Sequence, residues 1–224
     1  MKKPVFNLAV ICLLAYSVTS CGKSSVSKMS NKWNVTSYTA SHINNDNDGT
    51  KETGTSTTLI FSEIYGGVTT ETTNASVNEN SFTINKDGTW QSKKDYTYSY
   101  QTIYPDTADV TNNTVISESG TWAFVGTNKT EDFKKNERVV FYTLSSQEDV
   151  YLTSISGGTT TNDNSSSLDT YSTGGPSITY TIKESSAKKL VLSSDGENTH
   201  SDTSNGNTNT NSNTDKGEMT LEQK

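Results

Sequence analysis

Between Ser81 and Gln91 the chain alternates apolar and polar residues, pauses for a turn, and alternates again. Phe82 and Ile84 share one face, Asn85-Lys86-Asp87-Gly88 intervenes, and Thr89-Trp90-Gln91 resumes the pattern. A period of two marks a half-buried strand, and Asp-Gly between two such runs is a strong hairpin signal. The period recurs along the chain. Trp33-Asn34-Val35-Thr36-Ser37-Tyr38 opens a strand with Trp33, Val35 and Ser37 on one face, and Leu59 and Phe61 mark another. Tyr96, Tyr98, Tyr100 and Tyr104 form a ladder on one face, which Pro105-Asp106 breaks. Trp122 and Phe124, residues 138–144 and 150–155, the Ile178/Tyr180/Ile182 series, Leu190-Val191-Leu192 and Met219-Thr220-Leu221 complete the set. No segment sustains a 3.6-residue apolar period.

These segments predict an all-β chain of about 8–10 strands. Strands joined in sequence fit an antiparallel up-and-down meander, and closure into a β-barrel removes exposed edges. The apolar fraction is only 29%, with Thr, Ser and Asn filling the gap. Because the apolar residues are clustered and alternating, a small-cored β-domain with long polar loops is expected in place of disorder. The expected loops are residues 42–57, 157–175 and 193–216, with 66–80 as a loop or weak edge strand. Ser145-Ser146-Gln147-Glu148-Asp149 is expected to be a hairpin turn.

The start of the chain reads differently. Met1-Lys2-Lys3 is positive, and residues 5–16 are an apolar run. That run has the length of a signal-peptide core and falls short of the roughly 20 residues a spanning helix needs. Val18-Thr19-Ser20-Cys21 follows and resembles a bacterial lipobox: an aliphatic residue, two small ones, then cysteine. The resemblance implies cleavage before Cys21, a thioether diacylglyceryl group on its sulfur and an N-acyl chain such as palmitate. Two or more chains make such an anchor stable. The organisation expected is a lipoprotein signal peptide over 1–20, a lipidated tether over 21–31 and a barrel domain over 32–224. Gly22-Lys23-Ser24-Ser25 lacks the Asp of an inner-membrane retention signal and the acidic cluster of a surface-export signal. The periplasmic face of the outer membrane is therefore expected, with the cell surface as the alternative.

Cleavage removes Lys2, Lys3 and Cys12 and no acid, so the formal charge moves from −7 to −9. Scattered lysines and the single Arg138 give none of the clustered cations that nucleic-acid binding needs. With Cys21 acylated, no thiol is left for a disulfide, a thiolate nucleophile or a metal.

Several short motifs stand at matching places in the strand order. Lys32-Trp33 opens the first strand, and Phe82-Thr83-Ile84-Asn85-Lys86-Asp87-Gly88-Thr89-Trp90 forms the hairpin. Ser119-Gly120-Thr121-Trp122 echoes the end of that hairpin, and Tyr180-Thr181-Ile182 with Lys189-Leu190-Val191-Leu192 closes the series. Together they resemble the lipocalin-like domain of Bacteroidetes lipoproteins. Asn31 stands where true lipocalins have Gly, and no Arg follows Arg138. The resemblance implies a cell-envelope lipoprotein, non-catalytic, whose barrel binds a small hydrophobic or amphipathic ligand or an envelope component. The alternative is a solid barrel whose loops contact a partner protein or glycan.

Residue chemistry narrows the choice. There is no G-x-S-x-G elbow, and His42 and His200, both in polar tracts, support neither a serine triad nor a zinc site. No catalytic residue, metal or cofactor is expected. Asn44, Asp46, Asp48 and Gly49 mimic half of a calcium loop, but Thr55 stands where a bidentate Glu is needed, so an Asx-rich turn is expected. Glu63 and Glu118 are read as exposed strand positions. Trp33, Trp90, Tyr98 and Trp122 are the candidate ligand-lining residues, with core packing as the competing use of the same rings. Asp106-Thr107-Ala108 resembles the O-glycosylation motif of exported Bacteroidetes proteins, which makes Thr107 a candidate modified residue on an exposed loop.

Overall fold

A computed structural model of the chain describes residues 28–44, 46–103, 107–126, 137–172, 175–204 and 207–223. Eleven strands form one antiparallel sheet. They are β1 (Lys32–Ile43), β2 (Gly49–Thr55), β3 (Thr58–Tyr65), β4 (Val68–Ile84), β5 (Thr89–Thr102), β6 (Ala108–Gly126), β7 (Arg138–Ser156), β8 (Thr159–Thr170), β9 (Ser177–Ser185), β10 (Lys189–Ser204) and β11 (Asn207–Gln223). Pairing runs in order from β1 to β7, passes through β9, β10 and β11, and returns to β1, closing a ring. The chain is the all-β, up-and-down antiparallel barrel that the alternation predicts.

The ring has two circumferences. At one end β1 pairs directly with β4, Trp33 opposite Phe82. The β2–β3 hairpin is confined to the other half, where β2 faces β1 from Ser37 onward. Eight strands (β1, β4, β5, β6, β7, β9, β10 and β11) therefore close the base, and β2 and β3 widen the wall above it. β8 continues the line of β9 along β7, which pairs with β9 over Arg138–Tyr142 and with β8 over Ser145–Ser156. β9 pairs with β10 only as far as Ser193, and above that point, among the described residues, β10 is bonded to β11 alone. A seam opens in the upper wall between β8 and β10.

The base is solid. Trp33, Phe82, Trp90, Trp122 and Phe141 are all buried there with seven aliphatic residues, Val35, Ile84, Val139, Ile182, Leu190, Leu192 and Leu221, and Met29 plugs the end. Phe82 stacks on Trp90 at 5.3 Å, and Phe141 meets both edge-on at 5.2 and 5.7 Å. Each buried aromatic of this kind contributes on the order of 2–3 kcal/mol of hydrophobic stabilisation. The three indole N–H groups are all satisfied by main-chain carbonyls, Trp33 by Met29 at 2.9 Å, Trp90 by Tyr142 at 3.1 Å and Trp122 by Asn85 at 2.9 Å. The hairpin beneath them is the one the sequence announces. Gly88 adopts φ 87°, and the Asp87 carboxylate accepts from the Thr89 N–H at 3.0 Å and its hydroxyl at 2.7 Å.

Three expectations need correction. The polar tracts are strands: residues 49–55 form β2, 68–84 form β4, 159–170 form β8, and 193–216 carry the β10–β11 ladder to its tip. A ladder needs backbone partners and no apolar side chain, and the Thr-rich stretches supply β-branched residues that suit it. β8 is exposed along its whole length yet pairs continuously with β7. Second, residues 145–149 do not turn, because the run has neither Gly nor Pro and β6 and β8 bind it on either side. Third, a β-bulge between Val35 and Ser37 shifts the period of β1, so Tyr38 follows Val35 inward and Ser37 points out. Between β1 and β2 the Asx-rich turn is the one expected. The Asn44 side-chain oxygen accepts from the Asp46 and Asp48 amides, both at 2.9 Å, and Asp48 in turn accepts from the Gly66 amide at 2.6 Å.

Candidate functional site

Above the packed base the wider ring is not filled. A cavity of about 820 Å³ lies within β1, β2, β3, β4, β9, β10 and β11 and reaches the seam at Ser177 and Ser194. Strand alternation decides which side chains enter it. Tyr38, Ala40 and His42 follow Val35 inward along β1, and Met219, Gly217 and Asp215 continue inward from Leu221 along β11. Tyr180 and Ile178 come from β9, Phe61 and Glu63 from β3, and Glu52 from β2, opposite Ala40.

Its floor is aromatic and charged at once. Lys94 of β5 reaches across the lumen to Glu52, Nζ to Oε1 2.9 Å, with both side chains mostly buried. The same ammonium lies 5.6 Å from the Tyr38 ring centroid, within cation–π range. Glu118 also turns inward, toward Ser92 at 3.4 Å, and is not the exposed strand residue expected. Burial, then the charge of Glu52, the neighbouring Tyr180 and the charge of Glu118, holds the Tyr38 phenol far above the ordinary tyrosine range. Burial and Glu118 push Tyr180 up to about 12. Neither phenol hydroxyl makes a hydrogen bond to another described residue. The rim is acidic. Glu63 and Glu71 stand directly opposite each other in the β3–β4 register, and His42 Nδ1 lies 2.5 Å from Asp215 Oδ1.

The residues singled out from sequence fall elsewhere. Trp33, Trp90 and Trp122 are in the packed base and do not line the cavity. Tyr98 belongs to a second buried cluster with Leu59, Ala75 and Tyr96, where its hydroxyl accepts from Asn112 Nδ2 at 3.0 Å. The tyrosine ladder itself is as expected, its rings stacked at 6.5 and 6.0 Å, although Tyr104 lies outside the described residues. His42 is a strand residue facing the cavity, and Glu63 lines it as well. Thr107 is exposed at the start of β6, its carbonyl accepting from Ser156 Oγ at 3.1 Å, while Asp106 lies outside the described residues. Cys21 and the leader also lie outside them. Tyr38, Glu52, Phe61, Glu71 and Asp215 carried no motif, and the motif of Tyr180 did not mark it as a cavity residue. Their one legible signal was parity with buried neighbours, and for Tyr38 the bulge spoiled it.

Comparison with family models, with curated proteins and with solved structures finds no match.

Proposed function

We propose that this chain is a lipid-anchored, non-catalytic envelope protein that takes a small amphipathic ligand into the wide half of a lipocalin-like barrel. The observation that carries this reading is the cavity of about 820 Å³ above a solid base. That volume is within the range of small-molecule sites, and its lining of aromatic rings with a few polar groups fits one. The seam between β8 and β10 gives the ligand a lateral way in.

The anchor sets the orientation. Met29 packs into the base, so the tether from Cys21 joins the barrel at its closed end. The seven residues between Cys21 and Met29 span at most about 25 Å, so an anchored barrel keeps its base toward its own membrane. The cavity then faces the aqueous side of the outer membrane, and the ligand comes from there. If Thr107 is glycosylated, the sugar also sits at the far end from the anchor, on an exposed residue.

Two measurements test the reading. Cys21→Ala should move the protein from the membrane fraction to the soluble one, and a variant that stayed with the membrane would refute the anchor. Native mass spectrometry of protein taken from its own envelope should find acyl chains on Cys21 and one non-covalent small molecule per chain. Repeated isolation of acylated protein that carries no ligand and takes up none from an envelope extract would favour the interaction-protein alternative. That second reading has its own observation, the exposed Tyr65, Val68, Ile103 and Ile155 near the strand ends remote from the base.

A further inference from the structure

Resting on the ligand-binding reading above, we infer that the cavity selects a cationic amphiphile, an organic ammonium or guanidinium group joined to a short apolar body. The inward-facing charges decide the sign. Lys94 neutralises Glu52, and His42 is paired with Asp215. At the floor Glu118 accepts from the Ser92 hydroxyl, and at the rim Glu63 and Glu71 are left. They face each other directly across the β3–β4 ladder, on the same side of the sheet as Phe61 and Ala75. Neither carboxylate is joined by an ion pair or side-chain hydrogen bond to another described residue. Like charges directly opposite on paired strands destabilise the pair, so a cation seated between them relieves a strain that is built into the wall.

The nearest lysines do not supply that cation. Lys51 and Lys216 border the cavity, but neither is ion-paired with Glu63 or Glu71: they flank inward Glu52 and Asp215, so alternation turns both outward, and Lys216 lies 3.9 Å from Asp195. Below the acidic rim the surface changes character. Phe61, Ile178 and Met219 offer apolar contact, and Tyr38 and Tyr180 present aromatic faces and hydroxyls with no hydrogen-bond partner among the described residues. An apolar body therefore lies against the rings while its cation reaches the rim. A fatty acid or a phosphorylated lipid in the same pose would set its own negative charge against Glu63 and Glu71.

The test compares three ligands with one tail: decyltrimethylammonium, decanoate and decyl maltoside. Each is titrated calorimetrically into the purified mature chain below its micelle concentration. The ammonium should bind about tenfold or more tightly than decanoate, with an affinity that falls as salt rises. Glu63→Gln/Glu71→Gln should weaken the ammonium about tenfold, change decyl maltoside less than about twofold, and leave the melting temperature equal or higher. Decanoate binding as well as the ammonium, or ammonium binding untouched by the double substitution, would overturn the inference while the ligand-binding reading stood. Failure of all three ligands to bind would overturn both.

Discussion

Gly88 and Gly120 stand at the same point of two similar segments, Asp87-Gly88-Thr89-Trp90 and Ser119-Gly120-Thr121-Trp122. Gly88 is in a turn at φ 87°, and a Cβ there would meet nothing closer than 3.7 Å. Gly120 is inside β6, opposite Trp90, and its Cβ would fall 2.9 Å from Trp90 Nε1 and far closer still to the Tyr142 carbonyl. The two alanine variants should therefore separate in a denaturant titration. Gly88→Ala should cost about 1 kcal/mol, the price of a left-handed backbone. Gly120→Ala should cost more than about 3 kcal/mol, because the main chain must move and the Trp90 N–H loses its carbonyl. Equal costs would contradict the packing described. A second residue-level consequence concerns alkaline pH. Tyr180 ionises near 10 when unfolded and at about 12 when folded, so the folded chain holds its proton longer. The stability it contributes is fully present below pH 10 and is lost as the pH rises toward 12. Tyr180→Phe should flatten the alkaline fall in melting temperature, and an unchanged fall would show that Tyr180 stays reachable by water.

At the scale of elements, runs of alternating apolar residues were legible as strands, although the hairpin turn read at 145–149 is continuous β7, and strands without such runs were not legible. Phe82 to Trp90 could be read directly because a period of two and a turn sequence agree there. β8 could not, since every residue of Thr159–Thr170 is exposed and no face is marked by apolar side chains. The same holds for the distal part of the β10–β11 ladder, where polar residues, mostly Asn, Thr and Ser, alternate only with one another. Each pairs with a strand next to it in sequence, β8 with β7 across Gly157-Gly158 and β10 with β11, so the local trace is a turn signal with no apolar period beside it to mark the strands. Their contribution to stability should be small for the same reason. Replacing residues 198–213 by a two-residue Asn-Gly turn should shift the melting temperature by less than about 4 °C, because the stretch is polar throughout and the base residues Leu190, Leu192, Met219 and Leu221 of the same two strands are kept. A larger loss would mean that the distal ladder holds the barrel closed. Hydrogen exchange should agree, with protection highest where β6 meets β7 around Trp122 and Phe141 and lowest along β8.

For the whole molecule, one feature of the ring explains both the core and the cavity. β1 pairs with β4 at the base and lets β2 and β3 in above it. The same inward positions are therefore packed tight at eight strands and left apart at ten. Sequence alternation tells which residues point inward, but it says nothing of the circumference at each height. That is why Trp33, Trp90 and Trp122 stayed candidates for a pocket beside the favoured reading as core, where they are, and why the cavity residues could not be named. The account stands on the upper half being open to a ligand. The direct measurement is fluorescence titration with the neutral probe N-phenyl-1-naphthylamine, run on the wild-type chain and on Ala40→Trp and Thr73→Trp, whose new rings would occupy the cavity. The account predicts one site per chain in the wild type and loss of that site in both variants, with melting temperatures that show them folded. No saturable binding to the wild type, or binding that survives in both filled variants, would contradict it.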